Sequence, residues 1–186
     1  MAEKEGKQRW SEIKARLRAL NQGELVALVG DLYRASADNR RILHTRFLGS
    51  ANDIEMYRQL ITEAVAPDPF SKRFPQVSEA KRLIREYKLA TNDPAATTDL
   101  MLSFIEAGTD QAAEYGCDGD DIDPLAAMVG EVEKVVLDLP PPAQEETLER
   151  LWGIAATAEK FGWGFGEYVE EVAARVSGQM NRRAES

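Results

Sequence analysis

The chain has 186 residues, 44% of them hydrophobic, with 23 basic and 32 acidic side chains, one histidine and one cysteine. A single thiol and a single imidazole exclude an internal disulfide and a Cys/His zinc site, and no apolar run approaches the roughly 20 residues of a membrane-spanning helix. The charge is unevenly placed: residues 1–90 hold 17 basic and 12 acidic side chains and residues 91–186 hold 6 and 20, so a half of net +5 precedes a half of net −14.

Hydrophobic periodicity is helical along nearly the whole chain. Trp10, Ile13, Leu17 and Leu20 recur three and four apart, with Lys7, Lys14 and Arg18 on another side, which predicts an amphipathic first helix. Asn21 followed by Glu24 has the form of a capping box and starts a second helix carrying Leu25, Leu28, Val29, Leu32 and Tyr33. Ser36 restarts the chain for a third helix with Ile42, Leu43 and Phe47, which ends at Gly49-Ser50. A fourth, with Ile54, Tyr57, Leu60, Ile61 and Val65, stops before Pro67-Asp68-Pro69. The stretch PDPFSKRFP has three prolines and no helical period, so it reads as the longest ordered loop, with Phe70 and Phe74 packed into the core as its anchors.

Ser78 predicts the N-cap of a fifth helix with Ala80, Leu83, Ile84 and Tyr87 inward and Lys81, Arg85 and Lys88 outward. Asp93-Pro94, a cap followed by proline at the first helical position, starts a sixth that carries Leu100, Met101, Phe104 and Ile105 and ends at Gly116. Asp123-Pro124 repeats that signal for a seventh helix, closed by Pro140-Pro141-Pro142. An eighth holds Leu148, Leu151, Trp152 and Ala155; a tight turn at Gly162-Trp163-Gly164 with two buried aromatics leads into a ninth, and the tail NRRAES frays. About nine helices in antiparallel hairpins predict an all-α fold, either a multi-helix bundle or a short HEAT-like solenoid. The lack of a fixed internal period favours the bundle. At roughly 150 residues per domain, one helical domain over residues 1–186 is expected, with a subdomain joint at 67–77.

The densest polar cluster is acidic. Glu106, Asp110 and Glu114 fall four apart on one side of the sixth helix, and Asp118, Asp120, Asp121 and Asp123 follow. Clustered carboxylates suit a divalent cation or a basic docking partner. An EF-hand loop fails, because from Asp118 the sixth position is Asp123 where glycine is needed and the twelfth is Val129 where glutamate is needed. The basic counterpart, Arg40, Arg41, Arg46, Lys81, Arg85 and Lys88, would track phosphates of a nucleic acid if the six shared a face. His44 reads as a structural histidine, and Cys117, beside the acidic run, has its pKa pushed away from a reactive thiolate. Walker, nucleophile-elbow and zincin motifs are absent, so no catalytic residue, metal or cofactor is assigned, and the chain reads as a non-enzyme.

Three stretches, LNQGELVALVGDLYRASADNRRILHTRFLG at 20–49, SEAKRLIREYKLATNDPAATTDLMLSFIEAGTDQAAEYG at 78–116 and FGWGFGEYVEEV at 161–172, together resemble a family of small bacterial all-helical proteins of uncharacterised function. The resemblance implies a bacterial, helical, cytoplasmic protein and carries over no active-site residue. The chain departs from that pattern at Cys117–Gly119, where the acidic loop is longer, and at Gly166, where a larger polar residue is expected. The opening MAEKEGKQRW lacks the apolar stretch of a secretory signal, so a cytoplasmic location without a membrane partner is expected. The leading expectation is a protein-interaction or self-association module with a protein partner or a homo-oligomeric state; nucleic-acid binding by the basic half and cation binding at 106–123 are the alternatives.

Overall fold

The computed structural model describes residues 2–49 and 51–184. Among them are nine α-helices and no strand: α1 (Ala2–Ala19), α2 (Gln22–Ala35), α3 (Ala37–Leu48), α4 (Ala51–Val65), α5 (Val77–Thr91), α6 (Pro94–Tyr115), α7 (Gly119–Val136), α8 (Pro141–Ala158) and α9 (Phe165–Ala184). The chain divides into two compact units, Met1–Leu48 and Gly49–Ser186. The segment 67–77, expected as a subdomain joint, lies inside the second unit between α4 and α5, which pack on each other. Among the described residues no helix is long and apolar enough to cross a membrane.

The first unit is built by local signals. Asn21 accepts from the Glu24 N–H at 3.0 Å while Glu24 accepts from the Asn21 N–H at 2.8 Å, the reciprocal capping box that starts α2. Ser36 Oγ accepts from the Asp38 N–H at 3.2 Å and opens α3, which packs back on α2. Asn39 Nδ2 donates to the Leu32 carbonyl at 2.9 Å, and Tyr33 and His44 stack and share a 2.8 Å hydrogen bond across the two helices. The described side chains of this unit include one buried residue, Thr45, and no buried hydrophobic one.

The second unit is a bundle of three helical hairpins, α4/α5, α6/α7 and α8/α9, each packed on the next in chain order. Tyr57 and Ile61 of α4 meet Leu83, Ile84 and Tyr87 of α5, with the Tyr57 and Tyr87 rings edge to face at 5.1 Å. Leu100, Phe104 and Ile105 of α6, Val129 and Val132 of α7, Leu151 of α8 and Val169 and Val172 of α9 continue the same core. Asp93 caps α6 by accepting from the Ala96 N–H at 3.0 Å, with Pro94 at its first position. Because α6 is covered by α4, α5, α7 and α8, it buries Thr97, Thr98, Ser103 and Thr109 as well as its apolar side. Their hydroxyls donate to the carbonyls four residues back, at 2.6 to 3.0 Å, which removes the cost of burying them.

Several local expectations are corrected. Phe70 and Phe74 are 91% and 85% exposed. The segment is pinned instead by a 3-10 turn at Pro69–Ser71 capped by Asp68, by the Gln76 N–H donating to the Ala64 carbonyl at 2.7 Å and by Arg73 paired with Glu63 at 2.6 Å. With the chain tied at Gln76, α5 begins at Val77, and Ser78 lies inside its first turn rather than at its cap. The turn before α9 holds Gly162, Trp163 and Gly164 at φ of +78°, +61° and +67°, a run that two glycines allow and that swings the Trp163 ring outward, so Phe165 alone of the two aromatics is buried. At Gly166 a Cβ would lie 3.3 Å from the Ala155 carbonyl oxygen, tighter than ordinary contact, so α9 approaches α8 closely there. The α9 helix runs through Asn181–Ala184, with Arg183 donating to the Leu137 carbonyl, where fraying was expected; the last two residues lie outside the described ones. In urea unfolding, Phe104→Ala is expected to cost roughly 3–5 kcal/mol through a core cavity, and Phe70→Ala less than about 0.5 kcal/mol.

Candidate functional site

The acidic candidates separate into different tasks. Arg150 of α8 grips Glu106 with two parallel bonds, Nε to Oε1 at 2.7 Å and Nη2 to Oε2 at 2.6 Å, and reaches Asp99 with Nη1 at 2.6 Å. Arg58 of α4 holds the other Asp99 oxygen at 2.7 Å and pairs with Glu55. One half-buried lattice therefore joins α4, α6 and α8. Burial pulls the Arg150 guanidinium down, but its bonds to Glu106 and Asp99 outweigh this and the net shift is upward. Sequence reading missed Arg58, Asp99 and Arg150; a lone arginine within the acidic run EETLERLW was the available signal.

Asp118 and Asp121 form a second capping box. Asp118 Oδ1 accepts from the N–H groups of Asp120 and Asp121 at 3.0 and 3.3 Å, and its own N–H donates to Asp121 Oδ2 at 3.1 Å. This box starts α7 at Gly119, ahead of the expected Asp123-Pro124 signal. Pro124 becomes the sixth helical residue, where its missing N–H forgoes only the bond to the Asp120 carbonyl near the helix end. Asp110 and Glu114 stay exposed along α6, and burial, then Glu106, raises the Asp110 pKa while Lys160 opposes it. Among the described residues no group of three or more His, Cys, Asp or Glu side chains is arranged to hold a metal ion.

The end of α6, the start of α7 and the proline segment enclose a cleft of about 360 Å3. Val65, Pro75, Val77, Tyr115, Pro124 and Leu125 line it together with the polar Gln111, Cys117, Asp120 and Asp121. Burial first, then Asp121 and Asp118, push the Cys117 thiol up. Tyr115 also lines a neighbouring cleft of about 270 Å3 that carries Asp68, Asp110 and Glu114, so acid flanks Tyr115 on both sides. A Glu114 hydrogen bond leads the causes that raise the Tyr115 phenol. The arrangement offers apolar contact under strong negative charge.

The six basic candidates belong to two units. Arg40, Arg41 and Arg46 are on α3 of the first, and Lys81, Arg85 and Lys88 lie on one side of α5 in the second. Within α3, Arg41 pairs with Asp38 at 3.1 Å and Arg40 donates to the Tyr33 carbonyl at 3.4 Å. The first unit also carries exposed apolar surface. Leu25, Leu28, Val29 and Leu32 form one stripe along α2 and all four are exposed, as are Trp10 and Ile13 on α1 and Phe47 and Leu48 at the end of α3.

The chain matches no family model, no curated protein and no solved structure. The site therefore stands on its own residues.

Removing Arg150 leaves Glu106 without its partner and Asp99 with Arg58 alone. Arg150→Ala is expected to lower stability toward the lower end of the roughly 3–5 kcal/mol typical of broken buried pairs, since both carboxylates keep some solvent. Arg150→Lys should recover less than half of that in the same denaturation measurement, because an ammonium cannot make the two parallel bonds.

Proposed function

We propose that the protein is a non-catalytic interaction module, and that residues 1–48 are the element that docks it onto a second copy of the same chain. One observation carries this reading: the first unit buries no hydrophobic side chain among its described residues, while its α1, α2 and α3 helices display tryptophan, phenylalanine, leucine, isoleucine and valine outward. Short helices gain most of their stability by covering an apolar face, and a unit of this size has little core to spare. Covering these faces in an assembly supplies what the unit lacks.

Charge favours a self-complementary assembly. Residues 1–48 hold ten basic and six acidic side chains, net +4, and residues 49–186 hold thirteen and twenty-six, net −13. Unlike surfaces on identical chains attract at low salt and steer encounter. The non-catalytic part of the reading rests on the two groups best suited to nucleophilic or acid-base work. His44 is bonded to Tyr33, and the Cys117 thiol is shifted away from its thiolate.

Sedimentation velocity across a concentration series tests this. The wild type is expected to associate with rising concentration and less strongly at 1 M salt, where screening shortens to about 3 Å. Val29→Glu with Leu32→Glu should leave helix content intact and weaken association by about 30-fold or more, the loss expected when central apolar contacts are removed. A wild type that stays monomeric at every concentration overturns the reading.

A further inference from the structure

We propose that the cleft at the start of α7 seats the Trp10 face of α1 from a second copy, making the contact between copies head-to-tail. This rests on the docking reading above and names both of its surfaces.

Charge complementarity selects the occupant. From Glu106 to Asp123 the chain carries seven carboxylates and no basic residue, and the cleft opens among them. The α1 helix carries six basic and three acidic residues. Its exposed Trp10 has the Lys14 ammonium 5.9 Å from the ring centroid and the exposed Arg9 next to it in sequence, so apolar bulk and positive charge arrive together. A cleft of about 360 Å3 lined by Val65, Pro75, Val77, Pro124 and Leu125 suits one bulky side chain, and Asp120 and Asp121 in the same lining answer the flanking cations. Tryptophan with neighbouring basic residues is the chemistry that dominates interface energies when it fills a desolvated pocket.

The consequence is geometric. Knob and socket are different surfaces of one chain, so a bound pair still has one free knob and one free socket, and association continues to trimers and beyond unless a ring closes.

Two variants of the full-length chain test this together. Trp10→Ala with Lys14→Glu spoils the knob and leaves the socket; Glu114→Lys with Asp120→Lys spoils the socket and leaves the knob. All four positions are exposed, and circular dichroism checks that helix content is kept. Wild type is expected to form species larger than dimers in sedimentation, each variant alone to associate about 30-fold more weakly or worse, and their mixture to stop at a one-to-one pair. Cys117, the chain's one thiol, reports the same event, and alkylation by iodoacetamide at pH 8.5 should slow several-fold as wild-type concentration rises, with no such slowing in the Trp10→Ala chain.

A wild type that associates while both variants behave like it overturns this contact and leaves the docking reading standing; a wild type that never associates overturns both. A monomer whose Cys117 is protected at all concentrations through Trp10 has its own α1 in the cleft, which overturns the second copy as occupant. A mixture that stays monomeric also overturns it.

Discussion

The burial of α6 between Ala95 and Thr109 constrains everything around it. From Ala95 to Thr109 this helix, packed by four others, has no exposed residue, so the polar groups on that stretch need partners inside the protein, while Asp110 and Glu114 beyond it reach solvent. Four hydroxyls solve this by bonding back along their own helix. Asp99 and Glu106 cannot, and their charge is answered by Arg58 and Arg150 from the helices on either side. The three hairpins are therefore registered against one another by geometry that slides poorly: a bidentate guanidinium fixes distance and angle where apolar side chains fix only proximity.

The two units invert each other. In the second, amphipathic helices turn their apolar sides toward a shared core; in the first, the amphipathic α2 keeps its apolar stripe outward. The α2 stripe of Leu25, Leu28, Val29 and Leu32 has the same spacing as the α7 set of Leu125, Met128, Val129 and Val132, yet the former is exposed and the latter buried. Periodicity states which side of a helix is apolar and is silent about what covers it. That is why helix order and most helix limits were legible, along with the Asn21 and Asp93 starts, while the division at Leu48–Gly49 was not.

The failures of sequence reading share one cause, the competition between local signals. Asp123-Pro124 is a fair helix start, but Asp118 and Asp121 lie upstream and satisfy more backbone donors, so the helix begins there and absorbs the proline. Phe70 and Phe74 were assigned to the core on hydrophobicity alone; the segment is held by an Asp68 cap, a backbone bond from Gln76 and the Arg73–Glu63 pair, and needs neither ring. Trp163 occupies a left-handed position between two glycines, which fixes the backbone first and leaves the ring to follow outward. Of the acidic candidates, spacing alone could not separate Glu106, turned toward an arginine two helices away in the chain, from Glu114 one turn past Asp110 and still in solvent.

Negative charge at the start of α7 serves the fold before it serves anything else. Anionic side chains are favoured where a helix presents its unpaired N–H groups, and Asp118 and Asp121 use their oxygens on those groups. The box leaves Asp120 exposed beside a partly apolar cleft, with Glu114 and Asp110 in the last two turns of the preceding helix. A helix cap spends hydrogen-bonding capacity and keeps net charge, because each carboxylate still carries its full formal unit. Structural acids and a negative field around the cleft are thus the same residues viewed at two distances, and substitution at Asp120, which accepts no capping bond, separates the field from the fold.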